Sequence, residues 1–113
     1  MGVGGNSIRR PRSLLEGREL RLTNRPIRTG IVGYGLGARL FHAPFLAALP
    51  EFEITHFVQR SSSTASTAYP GVQIAKSVEE LVSLPEIDLV VVTTPNATHF
   101  PLAKLAIEAG KHV

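Results

Sequence analysis

Ile31-Val32-Gly33-Tyr34-Gly35-Leu36-Gly37-Ala38 is the stretch on which the fold turns. It matches G-x-G-x-x-G/A, with Gly33, Gly35 and Ala38 at the three small positions. The pattern carries chemistry only between a strand and a helix, so its flanks matter. Upstream, residues 27–32 form a short apolar run suited to a strand. Downstream, residues 36–49 read as a helix, with Pro44 expected to break or kink it, because proline has no amide hydrogen and its ring clashes with the preceding turn. In that setting Gly33 permits a tight turn, Gly35 lets backbone approach a pyrophosphate, and Ala38 lets the helix lie close on the strand. Tyr34, Leu36 and Gly37 complete a turn of exposed amides at a helix N-terminus, where the macrodipole favours an anion.

The rest of the chain repeats the alternation of short apolar runs and amphipathic stretches that marks βαβ units and a parallel sheet. Residues 52–58 alternate as a second strand, 61–68 read as a polar loop or weak helix, and 72–75 as a third strand. Ser77 followed by Glu80 is a capping box, which predicts a helix from 78 to about 84. The run Leu89-Val90-Val91-Val92-Thr93 is the clearest strand, expected to be central and covered on both faces. Asn96 or Thr98 is expected to cap a helix reaching 109, with Pro101 in its first turn and Gly110 as a left-handed C-cap. Lys111-His112-Val113 reads as the opening of a fifth strand. The predicted fold is therefore α/β: a Rossmann-type, doubly wound parallel sheet of four to five strands, incomplete at the C-terminus.

Charge separates the chain into two parts, expected as a leader over 1–25 and a dinucleotide-binding domain over 26–113. Residues 1–29 hold seven arginines against two acids, a net +5, whereas residues 30–113 hold five basic against seven acidic side chains, a net −2. The basicity belongs to the leader, so the domain offers no surface for nucleic acid. The leader mixes glycine, asparagine, serine and proline with its arginines and is expected to be disordered, apart from a short helical stretch at 13–22. Three readings of it stay open: a tail without a role, a translated upstream stretch, and an Arg-rich transit peptide or polyanion-binding arm. No run approaches the roughly 20 apolar residues a membrane span needs. The chain has no cysteine, which removes disulfides and thiolate chemistry and favours a reducing compartment, here taken as the cytoplasm. The four histidines, His42, His56, His99 and His112, have no ligand spacing, so no metal site is expected.

Two further loops meet the glycine-rich turn at the carboxyl edge of such a sheet. After the second strand, where an acidic residue normally holds the adenosine ribose of NAD, the sequence reads Gln59-Arg60-Ser61-Ser62. Arg60, with Ser61 beside it, suits the 2′-phosphate of NADP through charge-assisted hydrogen bonds; NAD is the alternative, with Arg60 a solvated loop residue. After the fourth strand comes Thr94-Pro95-Asn96-Ala97-Thr98-His99, in which Thr94, Pro95, Asn96 and His99 are expected to line the same cleft, although a helix cap with an exposed histidine fits the bare pattern equally.

Three segments taken together resemble the Gfo/Idh/MocA family of NAD(P)-dependent sugar and inositol dehydrogenases. They are Ile31-Val32-Gly33-Tyr34-Gly35 with Phe41-His42-Ala43-Pro44; Asp88 to Asn96 with His99; and Glu108-Ala109-Gly110-Lys111-His112-Val113. The resemblance implies a Rossmann domain that binds the nicotinamide dinucleotide, followed in the family by a substrate domain that takes a sugar- or polyol-like molecule and supports oligomerisation. It also implies a Glu-Lys-Pro motif, carrying the catalytic lysine, a few residues after Gly-Lys-His-Val. This sequence stops at Val113, so the expectation is a truncated chain without catalytic residues, and Lys111 does not take that role. A marginal or partner-dependent domain is expected from the short fifth strand. The rival expectations are a non-catalytic dinucleotide-binding regulatory module and an unstable gene remnant.

Overall fold

The computed structural model describes residues 25–113. The stretch expected as helix at 13–22, and five of the seven arginines of residues 1–29, lie outside the described residues.

Four parallel strands, β1 (Ile27–Val32), β2 (Phe52–Val58), β3 (Gln73–Ala75) and β4 (Leu89–Val92), form one sheet in the order β3-β2-β1-β4. Parallel neighbours cannot be joined by tight turns, so each connection crosses a sheet face with helical residues. A π-helical turn, Ala38–His42, runs into α1 (Ala43–Ala48); α2 (Thr64–Ala68) follows β2, and α3 (Val78–Val82) follows β3. A single 3-10 turn, Asn96–Thr98, leads into α4 (His99–Glu108).

Side chains alternate along each strand and divide the core into two layers. Ile31 and Phe57 pack with Ala38, Ala43 and Ala65 on the face covered by α1 and α2, whereas Val32, Val58, Ala75 and Val90 pack with Val78, Leu81 and Ala106 on the face covered by α3 and α4. The sheet is thus doubly wound. Its order reverses at β1, so the connections leaving β1 and β4 diverge to opposite faces and open a crevice between them, where ligands of such sheets bind.

Local sequence explains most departures from ideal geometry. Before Pro44 the helix opens to a π-turn, the Ala43 amide donating to Ala38 O, and His42 is pushed to φ −114. Proline then occupies the first turn of α1, where its missing donor costs nothing. Between Thr29 and Gly30 the β1–β2 register slips. A Cβ on Gly30 would lie 2.7 Å from Leu81 Cδ1, so this glycine lets α3 settle on the strand. The capping box forms with one change: Ser77 Oγ accepts the Glu80 amide at 3.0 Å, but the Glu80 carboxylate accepts the amide of Lys76, not that of the cap. Helix α3 is shorter than predicted, and Lys111 Nζ donates to Leu84 O at 2.7 Å just beyond its end.

The last helix closes as expected at Gly110, whose φ is +83, with the Lys111 amide bonded to Ala106 O. Its start differs. Neither Asn96 nor Thr98 caps it with a side chain; the Thr98 hydroxyl donates to Pro95 O instead. Strand β4 is not central either: it stands last in the strand order, and only Val90 of its four residues is fully buried. His112 bridges to Leu89, and the Val90 amide donates to His112 O at 2.8 Å.

At the opposite edge of the sheet from the crevice, Asp88 binds the start of β1. Its carboxylate accepts the Arg28 amide at 2.9 Å and Arg25 Nη1 at 2.8 Å. Partial burial works to raise this carboxyl, but the Arg25 guanidinium and the Arg28 donors prevail and hold it at about 2. No helix among the described residues is long and apolar enough to cross a membrane.

Candidate functional site

The crevice is a cleft of about 760 Å³ at the carboxyl ends of the strands. Three loops build it. The first follows β1, where Gly33 has φ +102, and a Cβ there would sit 2.9 Å from Thr93 Oγ1. Only glycine meets both constraints. The Gly33 amide is committed to Val58 O at 3.1 Å, tying the turn to β2. The first backward helical bond is Arg39 N to Gly35 O, so the amides of Leu36, Gly37 and Ala38 precede any intrahelical acceptor and are left available.

Gly35 differs from Gly33 in kind. Its φ is not in the left-handed region, and a Cβ there would meet nothing within 4 Å. Neither backbone conformation nor packing among the described residues calls for glycine at this position. An open, side-chain-free turn beside unbonded amides is a cradle of the shape a diphosphate fills, and the nicotinamide dinucleotide passes that test of fit. Ala38 is fully buried against Ile31 and Phe57, where a larger side chain would push the helix away. Tyr34 lines the cleft and rests edge-on against Phe57, with the ring centroids 5.2 Å apart.

The second loop follows β2 and brings Gln59, Arg60, Ser61 and Ser62 to the cleft. Arg60 is exposed there, and no carboxylate among the described residues lies within ion-pair distance of it. The third loop follows β4. Thr94, Pro95 and Thr98 face the cleft, and Pro101 and Leu102 of α4 add an apolar wall. The proton inventory of this loop is closed: Thr98 Oγ1 donates to Pro95 O, so the Thr94 hydroxyl donates to Thr98 Oγ1, and His99 Nε2 must carry the proton it gives to Thr94 O at 2.6 Å.

Of the residues singled out from sequence, the structure brings Gly33, Tyr34, Gly35, Arg60, Ser61, Thr94 and Pro95 together around one cleft. Leu36, Gly37, Ala38, Asn96 and His99 are not among its lining. Leu36 is 66% exposed, Ala38 is in the core, and His99 turns back onto its own loop. Ser77, Val78 and Glu79, at the start of α3, line the cleft without any sequence signal, because nothing in a single sequence says that the β3–α3 connection folds over the end of β2. Gln59 and Thr98, read from sequence as the place of a missing acid and as a candidate helix cap, line the cleft together with Leu102 through contacts that no motif signals.

Residues 27–113 match the model of Gfo/Idh/MocA, described as an oxidoreductase family with an NAD-binding Rossmann fold. The oxidoreductase YdgJ of Escherichia coli is 44% identical over 87 residues, 77% of this chain and 25% of that protein. The scyllo-inositol 2-dehydrogenase (NADP(+)) IolW of Bacillus subtilis is 37% identical over 101 residues, 89% of this chain and 27% of the relative. Among solved structures, scyllo-inositol dehydrogenase from Lactobacillus casei with bound NAD(H) and scyllo-inositol superposes with a TM-score of 0.70 at 25% identity, over 78% of this chain and 27% of that one. The chain spans about a quarter of the length of the relatives it matches.

Proposed function

Since the chain belongs to the Gfo/Idh/MocA family of oxidoreductases, we propose that it is the NAD(P)-binding domain of an enzyme that transfers hydride between nicotinamide and a hydroxyl or carbonyl of a sugar- or polyol-like substrate. The observation that carries this is Gly35, whose missing side chain leaves open space on a turn of available amides at the topological switch point. Those amides, on Leu36 to Ala38, hold the diphosphate, while Thr94 and Pro95 wall the arm of the cofactor that reaches β4. The nicotinamide ring, when bound, supplies the hydride acceptor or donor.

NADP is the preferred dinucleotide in this reading. Support comes from Arg60, which lines the cleft and makes no ion pair among the described residues, from the hydroxyls of Ser61 and Ser62, and from the lack of an acid at the end of β2. The substrate class is that of the relatives, one of which is an inositol dehydrogenase linked to NADP(+). Lys111 is given no role in proton transfer, because its ammonium is bonded to Leu84 O. The part assigned to these residues is dinucleotide binding, the matched segment being about a quarter of each relative. A cytoplasmic location belongs to the same reading, supported by the cysteine-free sequence.

Fluorescence titration of the chain with NADPH and NADH tests the proposal. Saturable binding of both, tighter for NADPH, is expected; a chain that binds neither is not a dinucleotide domain, and one that holds NADH more tightly is not NADP-selective.

A further inference from the structure

We infer that Gln59 is a positioning residue for nucleotide choice: its side-chain amide ties the end of β2 to the start of α2 and so holds Arg60 and Ser61 at the cleft. The inference rests on the NADP reading above and goes past it by naming the residue through which Arg60 is held.

Gln59 is fixed three ways. Its backbone amide donates to Ala75 O at 3.0 Å, its Oε1 accepts the Ala65 amide at 2.9 Å, and its Nε2 donates to Thr64 Oγ1 at 3.2 Å. Ser63, at the cap position of α2, makes no side-chain capping bond, so Gln59 takes that part from across the loop. Ser62 Oγ accepts the Thr64 amide and closes a smaller ring inside the first. Ala65, the far anchor, is fully buried against the core of the α1–α2 face. Residues 60–63 therefore bridge two fixed points. An arginine loses much rotamer freedom when it grips an anion. A backbone already held in place leaves only that side-chain cost to be met on binding.

The chemistry of this side chain bears on selectivity as well. Where NAD is preferred, an acid at the end of the second strand accepts the ribose hydroxyls. Here a neutral amide is turned toward the helix, and no carboxylate among the described residues lies within ion-pair distance of Arg60, the acid that shares its cleft being Glu79 at the start of α3. Glutamate would preserve the acceptor for Ala65 but bring a negative charge.

The test is the affinity of the full chain, residues 1–113, for NADPH and NADH in the parent, Gln59→Leu, Gln59→Glu, Arg60→Ala and the Gln59→Leu/Arg60→Ala double variant, with hydrogen exchange at the Ala65 amide read alongside. Gln59→Leu is expected to expose Ala65 to exchange and weaken NADPH about five- to tenfold, the scale of one lost hydrogen bond, with NADH within about twofold. In the Arg60→Ala background the same substitution is expected to change NADPH affinity little, since the two residues act as one unit. Gln59→Glu is expected to keep Ala65 protected while shifting preference toward NADH. Equal weakening of both nucleotides by Gln59→Leu, or an undiminished effect without Arg60, overturns the inference in favour of a merely structural cap. If Gln59→Leu does not fold, NADPH preference retained in Gln59→Glu overturns it. A parent that shows no preference for NADPH overturns the NADP reading itself, and the inference with it, and is told apart because it appears before any substitution is made.

Discussion

Gly33 and Thr93 meet where β1 and β4 leave the sheet: the Thr93 hydroxyl donates to Val32 O at 2.7 Å, which leaves its oxygen 2.9 Å from where a Gly33 Cβ would stand. The contact locks the first turn of the cleft to the fourth strand, and it separates two glycines that look equivalent in the motif.

Gly33→Ala should destabilise the chain. The residue would have to hold φ +102 and push back the threonine, a combined cost of about 2 kcal/mol or more. For a domain of this size that corresponds to a fall in Tm of about 10 °C, read by thermal melting.

Gly35→Leu should do the reverse. With open space around the Cβ, stability should change by less than about 1 kcal/mol. Nucleotide affinity should fall by about tenfold or more, because the side chain would occupy the place of the diphosphate. A parent-like affinity would remove the reason for glycine here.

Arg60→Ala should weaken NADPH by about 10- to 100-fold, the range for a lost charge-assisted hydrogen bond to phosphate, and leave NADH nearly as it was. Comparing the two titrations separates loss of the 2′-phosphate contact from general damage to the cleft.

Acid should loosen the base of the sheet. Asp88 is held at about 2 against an ordinary 3.8. A carboxyl lowered in the folded state stabilises it above the unfolded value, and that contribution disappears as pH falls from about 4 through 2. Partial exposure of the Arg25 and Asp88 side chains screens the pair, so the effect is on the order of 1 kcal/mol. Asp88→Asn should be less stable at neutral pH and should have a flatter stability profile below about pH 4, as followed by denaturant melts.

Much of the architecture was legible because the signals are local. Strands β1 and β2 begin and end where apolar alternation does, at 27–32 and 52–58. The glycine at 110 and the serine at 77 mark a helix end and a helix start through their own backbone and hydroxyl chemistry. What escaped was set by distant partners. An aliphatic run such as Leu89-Val90-Val91-Val92 looks the same in a central strand and in an edge strand, and only pairing shows that Leu89, Val91 and Val92 are half-buried. Gly30 reads as an ordinary strand residue until Leu81, far along the chain, arrives above it. His99 carries a ring suited to a ligand, yet the 2.6 Å bond to Thr94 O is made within its own loop. Gln59 reads as a missing acid, and its bonds to Thr64 and Ala65 become visible only when the loop is closed.

The claim beneath all of this is that the amides following Gly33 hold a dinucleotide diphosphate. An amide-resolved NMR titration of the chain with NADPH tests it most directly. Saturable shifts at Gly35, Leu36, Gly37 and Ala38, accompanied by Arg60, are predicted; saturation with those five resonances unmoved would contradict it.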